Sequence, residues 1–377
     1  MAIERLFQLM KEKEASDMFL AINSPIHIKI NGELIPINQQ RMDRASILAL
    51  LSEVVPAERM EELEKTHELN MGIPVSGIGR FRLSAFRQRG NISAVVRYIP
   101  HKVPPLASLQ LPEIVGDLIT QNHGLLLVVG ATGSGKSTTI AAMLDHRNEN
   151  SSGHILTLED PIEFQFSNKK SIINQREIGN DAHEMSIALR NALRQAPDVI
   201  VIGEIRDRDS MASALSYAQS GHLVVATLHA NNSYQALTRI INFFPIEVRG
   251  SLLPDLAAML RAIISQRLVR TKQGRRRPAV EIMLNSSHIA ELIEKGEIGA
   301  IKEAIDKSLS AGSQTFEQAL LHLLQEGAIT QEEALAHADS ITNLYWLINN
   351  QGKKEAAPVE EVKQEQGPTF TEFTLNA

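Results

Sequence analysis

The segment GATGSGKST, Gly130 to Thr138, carries the most specific chemistry in the chain. It fits G-x-x-x-x-G-K-[ST], with Gly130, Gly135, Lys136 and Ser137 at the fixed places. Glycines at that spacing let backbone amides turn inward around phosphate oxygens. A following helix presents its positive end, the lysine reaches the β- and γ-phosphates, and the hydroxyl takes Mg²⁺. Thr132, Gly133, Ser134 and Thr138 complete the candidate phosphate-binding surface. Before it stands the apolar run LLLVV, and after it TTIAAML, so a buried strand, a loop and a helix are expected in that order. A nucleoside triphosphate, ATP with Mg²⁺, is the ligand these residues suit.

Three further segments supply acids and histidines. In DVIVIGEIRD an apolar strand ends at Glu204, the usual position of an acid that holds or orients Mg²⁺ beside such a loop. In LEDPIEF, Glu159, Asp160 and Glu163 follow another apolar run, and one of them can accept a proton from an attacking water. Spacing alone does not say which. In GHLVVATLHANN, His222 and His229 bracket a strand and so belong at its opposite ends; each is open to phosphate sensing or to ordinary packing. Arg80, Arg82, Arg87, Arg89 and Arg97 concentrate in RFRLSAFRQRGNISAVVRYIP. They form a solvated sheet face or include arginines that reach a phosphate held elsewhere. Arg275–Arg277 read as an exposed turn between strands.

These groups need a scaffold, and the pattern around them changes along the chain. Residues 1–99 read as mixed α/β, with an opening helix bearing Ile3, Leu6, Phe7 and Met10, a hairpin about Asn31-Gly32, a helical stretch over 44–65, and strands at 80–87 and 92–99. Residues 100–113 hold four prolines and read as a linker. From 114 to about 285, short Val/Ile/Leu runs alternate with helical segments, which predicts a mostly parallel sheet covered on both faces. Residues 286–350 read as helical. The polar stretch 351–377 is expected to be disordered, although Phe370, Phe373 and Leu375 near its end also suit a short docking motif.

Of 377 residues, 43% are apolar, enough for a sizeable core, and none is cysteine, which removes disulfides and thiolate metal sites. The net charge of -6 and an aromatic content of 4% argue against a nucleic-acid translocase with a basic, base-stacking groove. No apolar run approaches the roughly 20 residues of a membrane span, and no secretory leader is visible, so a cytoplasmic location is expected.

Taken in order, the phosphate loop, ILTLEDPIEF, LRQAPDVIVIGEIRD and GHLVVATLHANN resemble the secretion ATPase superfamily of type II secretion and type IV pili over residues 5–345. Within it the chain is most similar to the retraction ATPases PilT and PilU, and ATLHANNSYQALTRIINFFP matches the PilU style. PilT-like chains carry an alanine-isoleucine-arginine-asparagine-leucine motif needed for retraction. Here HIAEL, His288 to Leu292, stands in its place. The resemblance implies a PAS-like α+β domain, then a RecA-like α/β domain, in a homohexamer at the cytoplasmic face of the inner membrane. Its partners would be a PilT-like ATPase and the inner-membrane pilus platform protein, with no nucleic acid. It further implies that Lys136 and Ser137 take phosphate and Mg²⁺, that Glu204 is the acid of the second phosphate-site motif and that Glu163 activates water. His222 would be the histidine of the third motif, and Arg82 and Arg97 would reach the triphosphate from the first domain. A nucleotide-binding adaptor that docks on PilT without turnover is the rival expectation.

Overall fold

The computed structural model describes residues 2–350 except 31 and 100–102, so the 351–377 expectation lies outside the described residues. The first unit contains α1 (Ala2–Glu12), β1 (Asp17–Leu20), β2 (His27–Ile30), β3 (Glu33–Pro36), α2 (Arg44–Ser52), α3 (Ala57–Thr66), β4 (Glu68–Val75), β5 (Gly79–Gln88) and β6 (Asn91–Ile99). Its six strands pair antiparallel in the order β3-β2-β1-β6-β5-β4. Ile3, Phe7 and Met10 of α1 repeat at helical spacing, are fully buried, and share one core with Ile47, Leu51 and Leu63 of α2 and α3. Phe7 stacks on Phe81 of β5 with centroids 4.1 Å apart.

The stretch expected as one helix over 44–65 is two helices. Leu51 and Val55 are buried there, and Pro56, which cannot continue a helix, stands before α3. Two strands of this sheet escape sequence reading. β1 is four residues long, and β4 contains Gly72 and Pro74, both poor strand formers.

The second unit begins with α4 (Ile114–Ile119) and continues β7 (Gly124–Val129), α5 (Lys136–Asn150), β8 (Gly153–Glu159), β9 (Ser171–Glu177), α6 (Met185–Ala192), β10 (Val199–Ile202), α7 (Arg208–Gln219), β11 (Leu223–Leu228), α8 (Ser233–Asn242), α9 (Ile246–Met259), β12 (Leu260–Arg270) and β13 (Arg276–Leu284). The helical end comprises α10 (Ser287–Lys295), α11 (Ile301–Asp306), α12 (Phe316–Gln325), α13 (Gln331–Ala336) and α14 (Ile341–Asn350). The sheet order is β13-β12-β7-β11-β10-β8-β9, parallel throughout except where β13 returns antiparallel to β12.

Every residue of β7, β10 and β11 is buried, because helices cover both faces. Leu125, Leu127 and Val129 enter one core while Leu126 and Val128 enter the other, the two-residue alternation of a strand. The fold is therefore α/β, a RecA-like parallel sheet preceded by a smaller α+β unit. β9 is not apparent from sequence, since SIINQRE mixes polar residues into the strand. The strands expected on either side of Arg275–Arg277 are β12 and β13, but Arg276 and Arg277 already belong to β13 rather than to the turn, and Arg277 pairs with Glu326. A parallel sheet puts the carboxyl ends of β7, β8, β10 and β11 at one edge, where loops carry function. No helix among the described residues is long and apolar enough to cross a membrane.

Candidate active site

The loop after β7 takes its shape from glycine. Gly133 and Gly135 have φ of 79° and 92°, a left-handed conformation that other residues adopt at a cost. At Gly130 a Cβ would meet Ser134 Oγ at 2.4 Å and the Gln266 carbonyl oxygen at 2.5 Å, so only glycine fits. Gly135 caps α5, which leaves the amides of the first helical turn facing outward without intrahelical partners. Lys136 Nζ donates to the carbonyls of Gly130 at 2.9 Å and Ala131 at 3.0 Å. Burial lowers the Lys136 pKa, while the nearby Glu204 and Glu163 carboxylates oppose that shift. An ammonium held only by carbonyls of its own loop, facing two acids, suits an incoming polyanion.

The loop opens into a cleft of about 770 Å³ between the two sheets. The second unit lines it with Ser137, Thr138, Glu159, Asp160, Glu163 and Glu204, and the first unit lines it with Arg82 and Arg97. The acids differ in engagement. Glu159 accepts from Thr157 Oγ1 at 2.6 Å and Gln175 Nε2 at 3.1 Å, and burial raises its pKa, so it is tied into the sheet. Glu204 is paired with Arg206 Nε at 2.7 Å and His229 Nε2 at 3.1 Å. The hydrogen bond to Glu204 raises the Arg206 pKa. Glu163 is exposed in the cleft, and its charge reaches Lys136.

Arg82 on β5 and Arg97 on β6 are directly opposite in register. Like charges facing each other across strands repel, and an anion in the cleft relieves that repulsion. Asp17 offsets part of it, accepting from Arg97 Nε at 2.8 Å, yet the Arg97 side chain stays 63% exposed. Arg80 and Arg87 take no place in the cleft. Arg80 is buried against Glu177, and Arg87 pairs with Glu64.

His222 is a correction. Leu223 pairs with Gly124 at the start of β7, so His222 sits at the far end of the parallel strands from Gly130. Six residues at about 3.3 Å each put it roughly 20 Å from the loop. Its Nδ1 lies 3.1 Å from the Tyr217 carbonyl, a packing contact. His229, at the carboxyl end of β11, is the histidine in the cleft. Strand direction was the signal: with the loop at the carboxyl end of one parallel strand, the histidine at the carboxyl end of its neighbour must share its edge. Gln266 on β12 carries no sequence signal, being one polar residue in a strand of mixed character. It is buried, donates Nε2 to the Ser134 carbonyl at 2.9 Å and accepts from Thr139 Oγ1 at 2.7 Å, joining the loop to α5.

Among known proteins, the sequence profile of the type II/IV secretion system protein family matches residues 2–336. The chain belongs to that family. PilU, the type IV pilus ATPase of Pseudomonas aeruginosa, is 44% identical over 97% of this chain and 96% of its own length. The PilT retraction ATPase of the same organism is 37% identical over 89% of this chain and 97% of its own. A crystal structure of the pilus retraction motor PilT with bound ADP superposes with a TM-score of 0.84 at 36% identity, covering 90% of this chain and 99% of that one. The Legionella pneumophila ATPase DotB follows at 0.79 and 26% identity, covering 89% and 94%. The chain is thus a PilT/PilU-family pilus ATPase, and the cleft beside Gly130–Thr138 is where its nucleotide chemistry is to be sought.

Proposed function

We propose that this chain hydrolyses ATP in the cleft between its sheets and turns the cycle into motion that assists type IV pilus retraction beside a PilT-like ATPase. The observation that carries the reading is convergence: the phosphate loop and acids of one sheet face Arg82 and Arg97 of the other across a single cleft. In this reading 1–99 and 114–350 are the moving parts, 100–113 joins them, and the working form is a homohexameric ring. It would act at the cytoplasmic face of the inner membrane on the pilus platform protein.

The loop amides and Lys136 bind the β- and γ-phosphates, exchanging two carbonyl contacts for charged oxygens. Glu163 is placed to take the proton of an attacking water, since Glu159 is tied into the sheet by Thr157 and Gln175 while Asp160 and Glu204 are paired with Arg206. Arg82 and Arg97 neutralise charge that develops on the phosphoryl oxygens. His229 orients Glu204 and senses the terminal phosphate through it. The Ser137 hydroxyl and the Glu204 carboxylate, already held beside two basic side chains, are hard oxygen donors of the kind that suit Mg²⁺. A bound Mg²⁺ would neutralise the triphosphate and steady the leaving group.

An accessory role rests on α10. His288 and Glu291 of HIAEL are exposed and Ile289 and Leu292 buried, so the helix keeps its packing. Alanine and glutamate occupy the places of the arginine and asparagine found in PilT-like chains.

The test is ATP turnover by the purified protein beside Lys136→Ala and Glu204→Ala, with mass measured in solution on the same samples. Mg²⁺-dependent turnover by a particle of about six subunits, lost in both variants, supports the motor. Arg82→Ala and Arg97→Ala should each lower kcat by about 10³-fold, the lower range for such arginines. Tight ATP binding without turnover would make the chain a nucleotide-gated adaptor instead.

A further inference from the structure

Glu177, the last residue of β9, is 2% exposed, and its carboxylate gathers donors from both units. Oε1 accepts from the Gly72 amide at 3.2 Å and from Asn180 Nδ2. Oε2 accepts from the Ile162 amide at 3.1 Å and from the Arg80 guanidinium. Gly72 and Arg80 belong to β4 and β5 of the first sheet, Ile162 to the acid-bearing loop after β8. Such a buried carboxylate persists only where paired and hydrogen-bonded, and here it is both.

The register shows what this carboxylate aligns. Gly72 lies directly opposite Arg82 across β4 and β5, and Arg80 stands two residues from Arg82 on the same face of β5. Ile162 precedes Glu163. One side chain therefore holds backbone adjoining both the arginine that the first unit gives the cleft and the acid that the second unit gives it. The approach is close enough to require glycine at 72, where a Cβ would lie 2.4 Å from Arg80 Nη2 and 2.7 Å from Glu177 Oε1.

We infer that Glu177 is a positioning residue: a latch that closes the first sheet onto the second and sets Arg82 and Glu163 at their working separation. It touches neither reacting group itself. The role given to Arg82 and Glu163 rests on the proposed ATPase reading, whereas the latch itself is a claim about two segments moving together.

The test uses the full chain with Glu177→Gln, which keeps the shape but removes the charge and turns one acceptor into a donor. Gly72→Ala is the second variant, which wedges the same contact from the other side. Hydrogen exchange should quicken by about tenfold or more in 68–88 and in 160–163 together, with α5 unchanged, as a shared local opening demands. The kcat for ATP should fall about 10- to 100-fold, the scale of a misplacement near 1 Å. KM, and the affinity for a fluorescent ATP analogue, should stay within about threefold, because the phosphate loop is untouched. Exchange that rises in one segment alone, or in neither, overturns the latch. So does an affinity loss as large as the loss in kcat, which would mark general destabilisation. A parent protein without turnover refutes the proposed function, and the exchange result still decides the latch.

Discussion

Gln266→Leu tests whether the phosphate loop holds its shape by itself or borrows it from β12. The Gln266 side chain is 3% exposed and both ends of its amide are used, at 2.9 Å to the Ser134 carbonyl and 2.7 Å from Thr139 Oγ1. Leucine has nearly the same volume, so packing changes little while both hydrogen bonds vanish. Leaving a buried polar group unmet costs about 1–3 kcal/mol, and two such groups give an expected loss of about 2–4 kcal/mol after partial relaxation. Were about 2 kcal/mol of that to fall on the loop, the binding-competent shape would be disfavoured by that amount, and ATP affinity would drop about 30-fold. Urea unfolding and equilibrium binding of a fluorescent ATP analogue measure the two effects separately. Thr139→Val removes one of the two bonds and should cost about 1–2 kcal/mol. Combined with Gln266→Leu it should cost less than the sum, as for residues in direct contact. A loss under about 0.5 kcal/mol in Gln266→Leu, with affinity unchanged, would refute the reasoning and make the loop self-sufficient.

Two further outcomes follow from the same geometry. His229→Ala should lower turnover by about 10- to 100-fold, as expected when a charged group loses a hydrogen-bond partner, while His222→Ala stays within about threefold. Equal losses in the two steady-state assays would contradict the strand-direction argument. Glu281 is buried and accepts from the Ser233 amide, Ser233 Oγ and Ser265 Oγ, and burial, with the Asp339 charge adding to it, raises its pKa above the ordinary 4.5. Between 4.5 and that raised value, the folded state keeps a proton that the unfolded chain has released, so stability is present at lower pH and is lost as pH rises. Glu159 is shifted the same way and adds to the slope. Glu281→Gln should therefore raise the melting temperature near pH 8 and leave a shallower decline from pH 5. A variant less stable than the parent at pH 8 would oppose this.

What could be read from sequence divides by the distance over which each feature is specified. The phosphate loop was legible because phosphate geometry constrains nine adjacent residues, and the strand and helix flanking it are equally local. Glu204 was legible for a related reason, as an acid ending a buried strand. The histidines require a further step: spacing puts them at opposite ends of one strand, and only the direction of the neighbouring strands shows that His229, not the His222 that the resemblance implies, shares the loop's edge. Arg82 and Arg97 come from the resemblance; the residues alone leave them as a solvated sheet face or as arginines that reach a phosphate, and only the cross-strand register makes them a facing pair. Gln266 and Glu177 had no local signal at all. Each is an ordinary polar residue in a strand of mixed character, and its partners lie 132 residues away at Ser134 and 105 residues away at Gly72. Such residues are found by asking what satisfies each buried polar atom once the chain is folded. In this chain that question leads from the phosphate loop to β12, and from the acid loop to the first sheet. The residues of the phosphate loop are thus specified locally, whereas the residues that join the loop to β12 and the acid loop to the first sheet are specified by topology.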